Sequence, residues 1–200
     1  PLPGGTGLGK PLKSTIHPVR SDLPIYLGAE GPKNVALAAE IADGWLPLFF
    51  APKDDAFYRS ALSEGFARPG ARRSFDGFDV AAMVPFVPNP DVEQAADAIR
   101  PWLALYIGGM GAKATNFHRQ VFERMGYEAE CRTITDLYLD GRKQEAAAAV
   151  PTAMVEEVAL VGPPDKIRDD LAAWEASVVT TILIQGPPQL LQIAADIVGG

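Results

Sequence analysis

The chain is almost without cysteine. Cys131 is the only one in 200 residues, so no disulfide can close within it. That count suits a reducing, cytoplasmic setting and excludes a metal site built on several thiolates. Histidine is nearly as scarce. His17 and His118 alone cannot furnish a poly-histidine centre, and no metal is expected. Long apolar runs are lacking too: none approaches the roughly 20 residues that span a bilayer, so no membrane partner is expected. Positive charge is in deficit, with 18 Lys and Arg against 25 Asp and Glu and a net charge of -7. A nucleic acid needs a basic surface, which argues against one as the main partner. A phosphorylated small molecule needs only a local cluster of donors and stays allowed. An initial methionine is also missing. The chain starts at Pro1, within the loop-like PLPGGTGLGKPLK, and reads as the second part of something longer.

What is present is a globular composition. Hydrophobic residues make up 48% of the chain, enough for one domain with a sizeable core. Residues 1–23 are broken by Pro and Gly and read as an extended lead-in. Within them GGTGLGK, Gly4 to Lys10, has the spacing of a phosphate-binding P-loop. Pro11 stands where that motif needs Ser or Thr, no apolar strand precedes the glycines, and PLKS breaks the helix that should follow. The motif is therefore set aside.

From Leu23 the pattern becomes regular. Pro24–Gly28 (PIYLG) reads as a short strand and Pro32 to Asp43 as a helix, with Pro32 in the first turn and Gly44 as a left-handed cap. Trp45–Phe50 (WLPLFF) and Phe78–Val87 (FDVAAMVPFV) are apolar throughout, as strands buried on both faces should be. An amphipathic helix over Pro52–Phe66 separates them, and Asp91 caps a long helix through Leu105. A helical stretch with no evident strand then runs from Thr115 to about Glu157. Gly162–Pro163–Pro164 opens another helix, Thr180–Gln185 (TTILIQ) is the last strand, and QLLQIAADIV is a closing helix. Strands alternating with helices predict a parallel α/β sheet, here of four strand–helix units.

Several stretches together resemble the luciferase-like monooxygenase family, which folds as a TIM barrel of the bacterial-luciferase type. They are IYLGAEGPKNVALAAEIADGWLPLFF, ALYIGGMGAKATNFHRQVFERMGYEAE, LYLDGRKQEAAAAVP, and EVALVGPPDKIRDDLAAW followed by VTTILI. Within the family the likeness is to the branch that uses the deazaflavin coenzyme F420. The family barrel has eight strand–helix units. The resemblance therefore implies that residues 24–200 are strands five to eight, the second half of a parallel (β/α)8 barrel. A helical excursion over residues 106–160 would precede the last strand. The implied partners are the N-terminal half of the same barrel, a small-molecule substrate and further copies in a homo-oligomer.

The resemblance also places a site. In the family the loop after strand five meets the coenzyme's phosphate, and here that loop is Gly28, Ala29, Glu30, Gly31, Pro32, Lys33 and Asn34. The chemistry of those residues agrees. A helix start offers unpaired amides and a positive dipole end, and glycines let a ligand approach the backbone. Lys33 brings a point charge and Asn34 a donor. Glu30 is out of place beside a phosphate, so it either points away or binds a hydroxyl. Equally, GAEGPK is a well-made strand–helix connection without any ligand.

The implied activity is hydride transfer between coenzyme F420 and an organic substrate. FMN-dependent monooxygenation is the alternative, since both coenzymes carry a phosphate-bearing side chain. A non-catalytic half-barrel acting as an assembly module is a reading of another class. The isolated chain is expected to self-associate and to be inactive. No catalytic residue is assigned, because no nucleophile–base pair stands out. Phe49, Phe50, Phe86 and Pro88 read as core ahead of pocket wall. Tyr106–Met110 are a substrate-pocket candidate by family likeness, or a helix terminator. His118 reads as a solvated residue on a polar helix face. His17 has no visible partner, Arg72 and Arg73 read as a solvated basic turn, and Glu156 and Glu157 as surface charges.

Overall fold

The computed structural model of the chain describes residues 4–7, 9, 13, 15–17, 19–111 and 115–199. Lys10 and Pro11, on which the P-loop question turned, lie outside them. Strand β1 (Tyr26–Gly28) leads to helix α1 (Pro32–Ile41), β2 (Gly44–Leu46), a 3-10 turn (Pro52–Asp54) and α2 (Asp55–Phe66). Strand β3 (Asp79–Pro88) is followed by a run of helices: α3 (Val92–Asp97), α4 (Arg100–Gly108), α5 (Phe117–Arg124), α6 (Glu128–Leu139), α7 (Lys143–Ala148) and α8 (Thr152–Glu156). Strand β4 (Leu160–Gly162), α9 (Pro164–Glu175), β5 (Thr181–Gln185) and α10 (Gln189–Gly199) complete it. The order along the sheet is β1-β2-β3-β4, with β5 also beside β3, and every pairing is parallel. The expected fold class, α/β with parallel strands, is therefore present.

The long strand β3 carries three neighbours. It pairs with β2 at Asp79 and Val80, with β5 from Ala81 to Pro85, and with β4 from Phe86 to Pro88. Pro85 has no N–H to give to a ladder, and it falls at the seam where β5 hands over to β4. The proline thus sits where continuous pairing along one neighbour stops.

Two expectations about this region need correction. The described residues hold five strands, not four: β4, Leu160–Gly162, lies between the helical stretch expected to about Glu157 and the helix expected from Gly162, where no strand is expected. Three residues are too few to display a period, and nothing in VALVG separates a buried strand from a buried helix end. The single helix expected over 91–105 is two, because Pro101 cannot donate to Asp97 and α4 restarts with that proline in its first turn. Smaller differences also have local causes. The strand expected over Trp45–Phe50 ends at Leu46, before Pro47. Gly44 is not a left-handed cap: it lies in β2, and a Cβ there would stand 2.8 Å from the Asp79 carbonyl oxygen and against the Tyr26 ring.

Two apolar cores result. One joins Val35, Ala38 and Ala39 of α1 to Leu62 of α2, to Val80, Ala82, Val84 and Phe86 of β3, and to Ile167 and Trp174 of α9. The other lies among the extra helices, around Phe49, Leu103, Ile107, Phe122, Ile134 and Met154. Helices α1 and α2 pack tightly at Gly65, where an added Cβ would lie 2.6 Å from the Ala39 Cβ and 2.9 Å from the Ala36 carbonyl carbon.

Two aspartates tie the amino ends of the strands. The Ile25 amide donates to Asp43 Oδ2 at 3.0 Å, and Arg73 Nη2 donates to Asp43 Oδ1 at 2.8 Å. Arg73 is exposed, as the sequence suggested, and in addition pairs with Asp43. Asp79 accepts from the Tyr26 hydroxyl at 2.8 Å, from Thr181 Oγ1 at 2.9 Å, and from Thr180. The Ile25 amide and the Arg73 guanidinium hold the Asp43 carboxyl below its usual range. Burial works to raise Asp79, but the hydroxyls of Thr180, Tyr26 and Thr181 outweigh it and hold that carboxyl low as well.

Carboxyls with lowered folded pKa values stabilise above their unfolded value of about 3.9 and lose that contribution as pH falls through the folded value. Stability should therefore decline from about pH 5 downward. Urea unfolding followed from pH 3 to pH 7 should show this slope, and it should be shallower in Asp43→Asn and Asp79→Asn. In the same assay Gly65→Ala should cost about 1–3 kcal/mol, because the new methyl has no room between α1 and α2.

Candidate functional site

Strands β1 and β2 lie side by side, pairing Tyr26 with Gly44 and Gly28 with Leu46. Both end at the same rim, and the chain leaving β1 must turn sharply into α1. That turn is Ala29–Gly31, and Gly31 caps α1 in an extended conformation with no side-chain bond. The amides of Asn34 and Val35 fold back onto the Gly31 carbonyl, at 3.0 Å each. Pro32 has no amide to offer, so Gly31 and Lys33 carry the remaining N–H groups at this helix start. Trp45 of β2 pins the turn from beneath: its indole Nε1 donates to the Ala29 carbonyl at 2.8 Å.

A cavity of about 320 Å³ opens on this rim. Gly28, Ala29, Glu30, Gly31 and Asn34 line one side, so five of the seven residues expected at the site come together there. Pro32 and Lys33 do not line it; both are exposed. Packing does not demand glycine at either end of the turn. A Cβ at Gly31 would meet nothing within 4 Å, and one at Gly28 would make only an ordinary 3.8 Å contact with the Leu46 carbonyl. Neither glycine has a positive φ.

The far wall was not foreseen. Leu46 and Leu48 form its base, and Phe117 and His118 of α5 close it. The solvated reading of His118 is therefore corrected. Its Nδ1 lies 2.8 Å from Glu30 Oε1, and its side chain is 25% exposed. Tyr106 and Phe49 meet the imidazole edge to face, with ring centroids at 4.8 and 5.9 Å. Glu30 and His118 are 88 residues apart, and no periodicity or motif links them. A sequence signal existed only in the awkwardness of a carboxylate at an anion-binding turn, which called for a counter-charge from elsewhere.

Glu30 neither points away nor stays solvated. Its side chain is 11% exposed, and Oε2 is buried with no hydrogen-bond partner. Burial pushes its carboxyl above the usual range, against the pull of His118 and Arg124. Behind the pair, Arg124 Nη2 donates to the Tyr58 hydroxyl at 3.0 Å. Burial raises that phenol to about 12.

Phe49, Phe50 and Phe86 are core, as favoured, and Pro88 is half-buried at the end of β3. None of Tyr106–Met110 lines the cavity. Gly108 and Gly109 are instead close-packing residues: added Cβ atoms would come within 2.5 Å of Tyr138. Asn116 fastens that segment by donating to the Tyr106 and Ile107 carbonyls, both at 2.8 Å. Glu157 pairs with Lys53, and Glu156 pairs with Lys166 at 2.9 Å. Cys131 is buried and its thiol is pushed up to about 12, so it is no nucleophile. Among the described residues no group of His, Cys, Asp and Glu is gathered as metal ligands, and no helix is long and apolar enough to cross a membrane.

Residues 6–181 match the family of luciferase-like monooxygenases. The chain belongs to that family. A provisionally named coenzyme F420-dependent oxidoreductase of Mycobacterium tuberculosis is 52% identical over 181 residues, which cover 90% of this chain and 52% of that protein. The solved coenzyme F420-dependent tetrahydromethanopterin reductase of Methanopyrus kandleri superposes with a TM-score of 0.66 at 30% identity, covering 82% of this chain and 45% of that one. An F420-dependent secondary alcohol dehydrogenase, solved with an F420–acetone adduct, shares the fold with a TM-score of 0.59 at 15% identity, over 82% of this chain and 43% of the other. The chain thus spans about half the length of the relatives it matches. Its parallel sheet and flanking helices are those of luciferase-like neighbours.

The tie between Trp45 and the Ala29 carbonyl should set the order of the turn. Trp45→Phe removes one donor and leaves a carbonyl unpaired, a loss of about 1–3 kcal/mol. Amide hydrogen exchange at Gly31 and Lys33 should accelerate in that variant while exchange in β3 rises only with global stability.

Proposed function

We propose that this chain supplies the phosphate-binding side of an F420-dependent oxidoreductase of the luciferase-like family. The carrying observation is the cavity on the β1 rim, whose two glycines have no packing or backbone reason to be glycine. The named activities of the M. tuberculosis and M. kandleri relatives support the choice of coenzyme.

The residues suit the tail of such a coenzyme. The start of α1 presents amides and the positive end of a ten-residue helix to an oxyanion. Asn34 adds a side-chain amide at the cavity wall, and Leu46 and Leu48 give an apolar floor. When bound, the deazaflavin ring would accept or donate the hydride, so the protein's part is to hold and orient it. Gly28 and Gly31 leave the backbone open to close approach, and Trp45 keeps the turn in place beneath them. Catalytic residues and the organic substrate are not assigned to this chain.

We further read residues 24–200 as the second half of a (β/α)8 barrel, with a helical excursion over residues 106–160 before the last strand. We also read its setting as cytoplasmic, a reading the lone cysteine supports. Exposed apolar side chains near β1 and at β5 and α10 support the half-barrel reading, among them Leu23, Ile25, Leu183 and Leu191. They would be covered by the remaining strands and helices, or by another copy. The same exposed residues support the assembly-module reading, which has no need of the cavity.

Fluorescence titration separates these readings. Coenzyme F420 should bind saturably and FMN more weakly. Binding of FMN alone would overturn the choice of coenzyme, and binding of neither would favour the assembly role. Gly31→Val combined with Lys33→Ala should fold as the parent does by circular dichroism, since a Cβ at Gly31 has nothing within 4 Å. The pair should weaken F420 binding about tenfold or more, the loss of roughly 1.4 kcal/mol. Unchanged affinity would remove the turn from the site.

A further inference from the structure

The Glu30–His118 contact assigns the cavity a proton-linked donor. His118 Nδ1 is occupied by Glu30 Oε1 at 2.8 Å, and among the described residues no partner stands at Nε2. Tyr106 and Phe49 hold the ring edge-on, so its orientation is set by packing as well as by the carboxylate. Both members of the pair line the cavity.

We propose that Glu30 and His118 share one proton so that His118 Nε2–H donates to an oxyanion of the ligand in the cavity. This rests on the coenzyme reading above and names a residue for it that the turn alone does not supply. The logic is one of tautomers. With the shared proton present, it lies either on Nδ1 or on Oε1. In both cases the other ring nitrogen carries hydrogen, so Nε2 is a donor and the pair is neutral overall. When that proton is lost, Nδ1–H still serves the carboxylate, Nε2 becomes a bare acceptor, and the pair carries a net negative charge. Ligand affinity therefore depends on the pair keeping its proton. The same sharing explains why a glutamate is tolerated at an anion site.

Other groups bear on the pair from each side. Arg124 of α5 draws Glu30 toward its charged form, while burial opposes it. Tyr58 of α2 faces Arg124 and Glu30, and Asp54 of the 3-10 turn faces Arg124 and Tyr58. Asp54 Oδ2 is itself buried with no partner, and burial raises its carboxyl against the pull of Arg124 and Lys53. Elsewhere on α5, Arg119 pairs with Glu123 at 3.0 Å. Tyr106 of α4 touches the imidazole through its ring.

With only two histidines in the chain, imidazole NMR can follow His118 directly, with the exposed His17 as internal control. Inorganic phosphate is the first probe and coenzyme F420 the second, both added to the 200-residue chain at pH values from 6 to 9. Each should move the His118 Nε2 signal and leave His17 in place. Affinity should fall with pH above the titration of the pair, approaching about tenfold per pH unit for one linked proton. His118→Gln keeps a donor that does not titrate, so it should still bind but lose that slope. Glu30→Gln should also lose the slope, because a glutamine amide can donate to Nδ1 and leave Nε2–H on the neutral ring. A merely structural contact would alter stability and leave the slope alone. If the Gly28–Asn34 amides respond to ligand while His118 does not, the proposal is overturned and the coenzyme reading stands. If neither responds to either probe, both are overturned.

Discussion

Ten residues of β3 hold three parallel partners together, and the rest of the molecule is arranged around that sharing. β2 takes its first residues, β5 its middle and β4 its end. Because successive strands are parallel, each must return through a crossover, and the helices of those crossovers cover the sheet. The crossover from β3 to β4 is the long one. It contains five helices beyond α3, builds its own apolar core, and brings α5 back over the rim where β1 and β2 end. The cavity exists because a sheet rim and a distant helix meet there.

Its chemistry follows from that meeting. A turn of small residues at a helix start is open to an oxyanion on physical grounds, but a buried glutamate within it would repel one. Helix α5 brings His118 to that glutamate, and Phe49 and Tyr106 set the ring. The aspartates at the opposite ends of the strands behave differently. Asp43 and Asp79 gather amide, guanidinium and hydroxyl donors, and their carboxyls are held low. Glu30 has one partnered oxygen and one orphan, and its carboxyl is pushed up. The same side-chain chemistry thus serves strand fixing at one end and a titratable site at the other.

Much of this was legible before any coordinates. The apolar runs around Tyr26, Trp45 and Val80 marked strands, the proline at residue 32 marked a helix start, and the turn between them was singled out as the site. What stayed hidden was either too short or too distant. Leu160–Gly162 has no period to read, and Pro101 divides a helix whose apolar pattern runs on unbroken. Gly44 looked like a cap because glycines follow helices, whereas its cause is the Tyr26 ring and the Asp79 carbonyl beside it. His118 was beyond reach because its role depends on a partner 88 residues away. Membership of the luciferase-like family came from matched stretches rather than from any one motif, and it fixed which end of the strands to inspect.

The central claim is that the turn after β1 receives the phosphate-bearing tail of a deazaflavin coenzyme. A crystal structure of the chain, or of a longer protein that contains it, grown with coenzyme F420 tests this most directly. The account predicts phosphate density against the Gly31 and Lys33 amides, with the tail lying between Asn34 and His118. Ordered coenzyme elsewhere, with the turn empty or filled by a side chain, would contradict it.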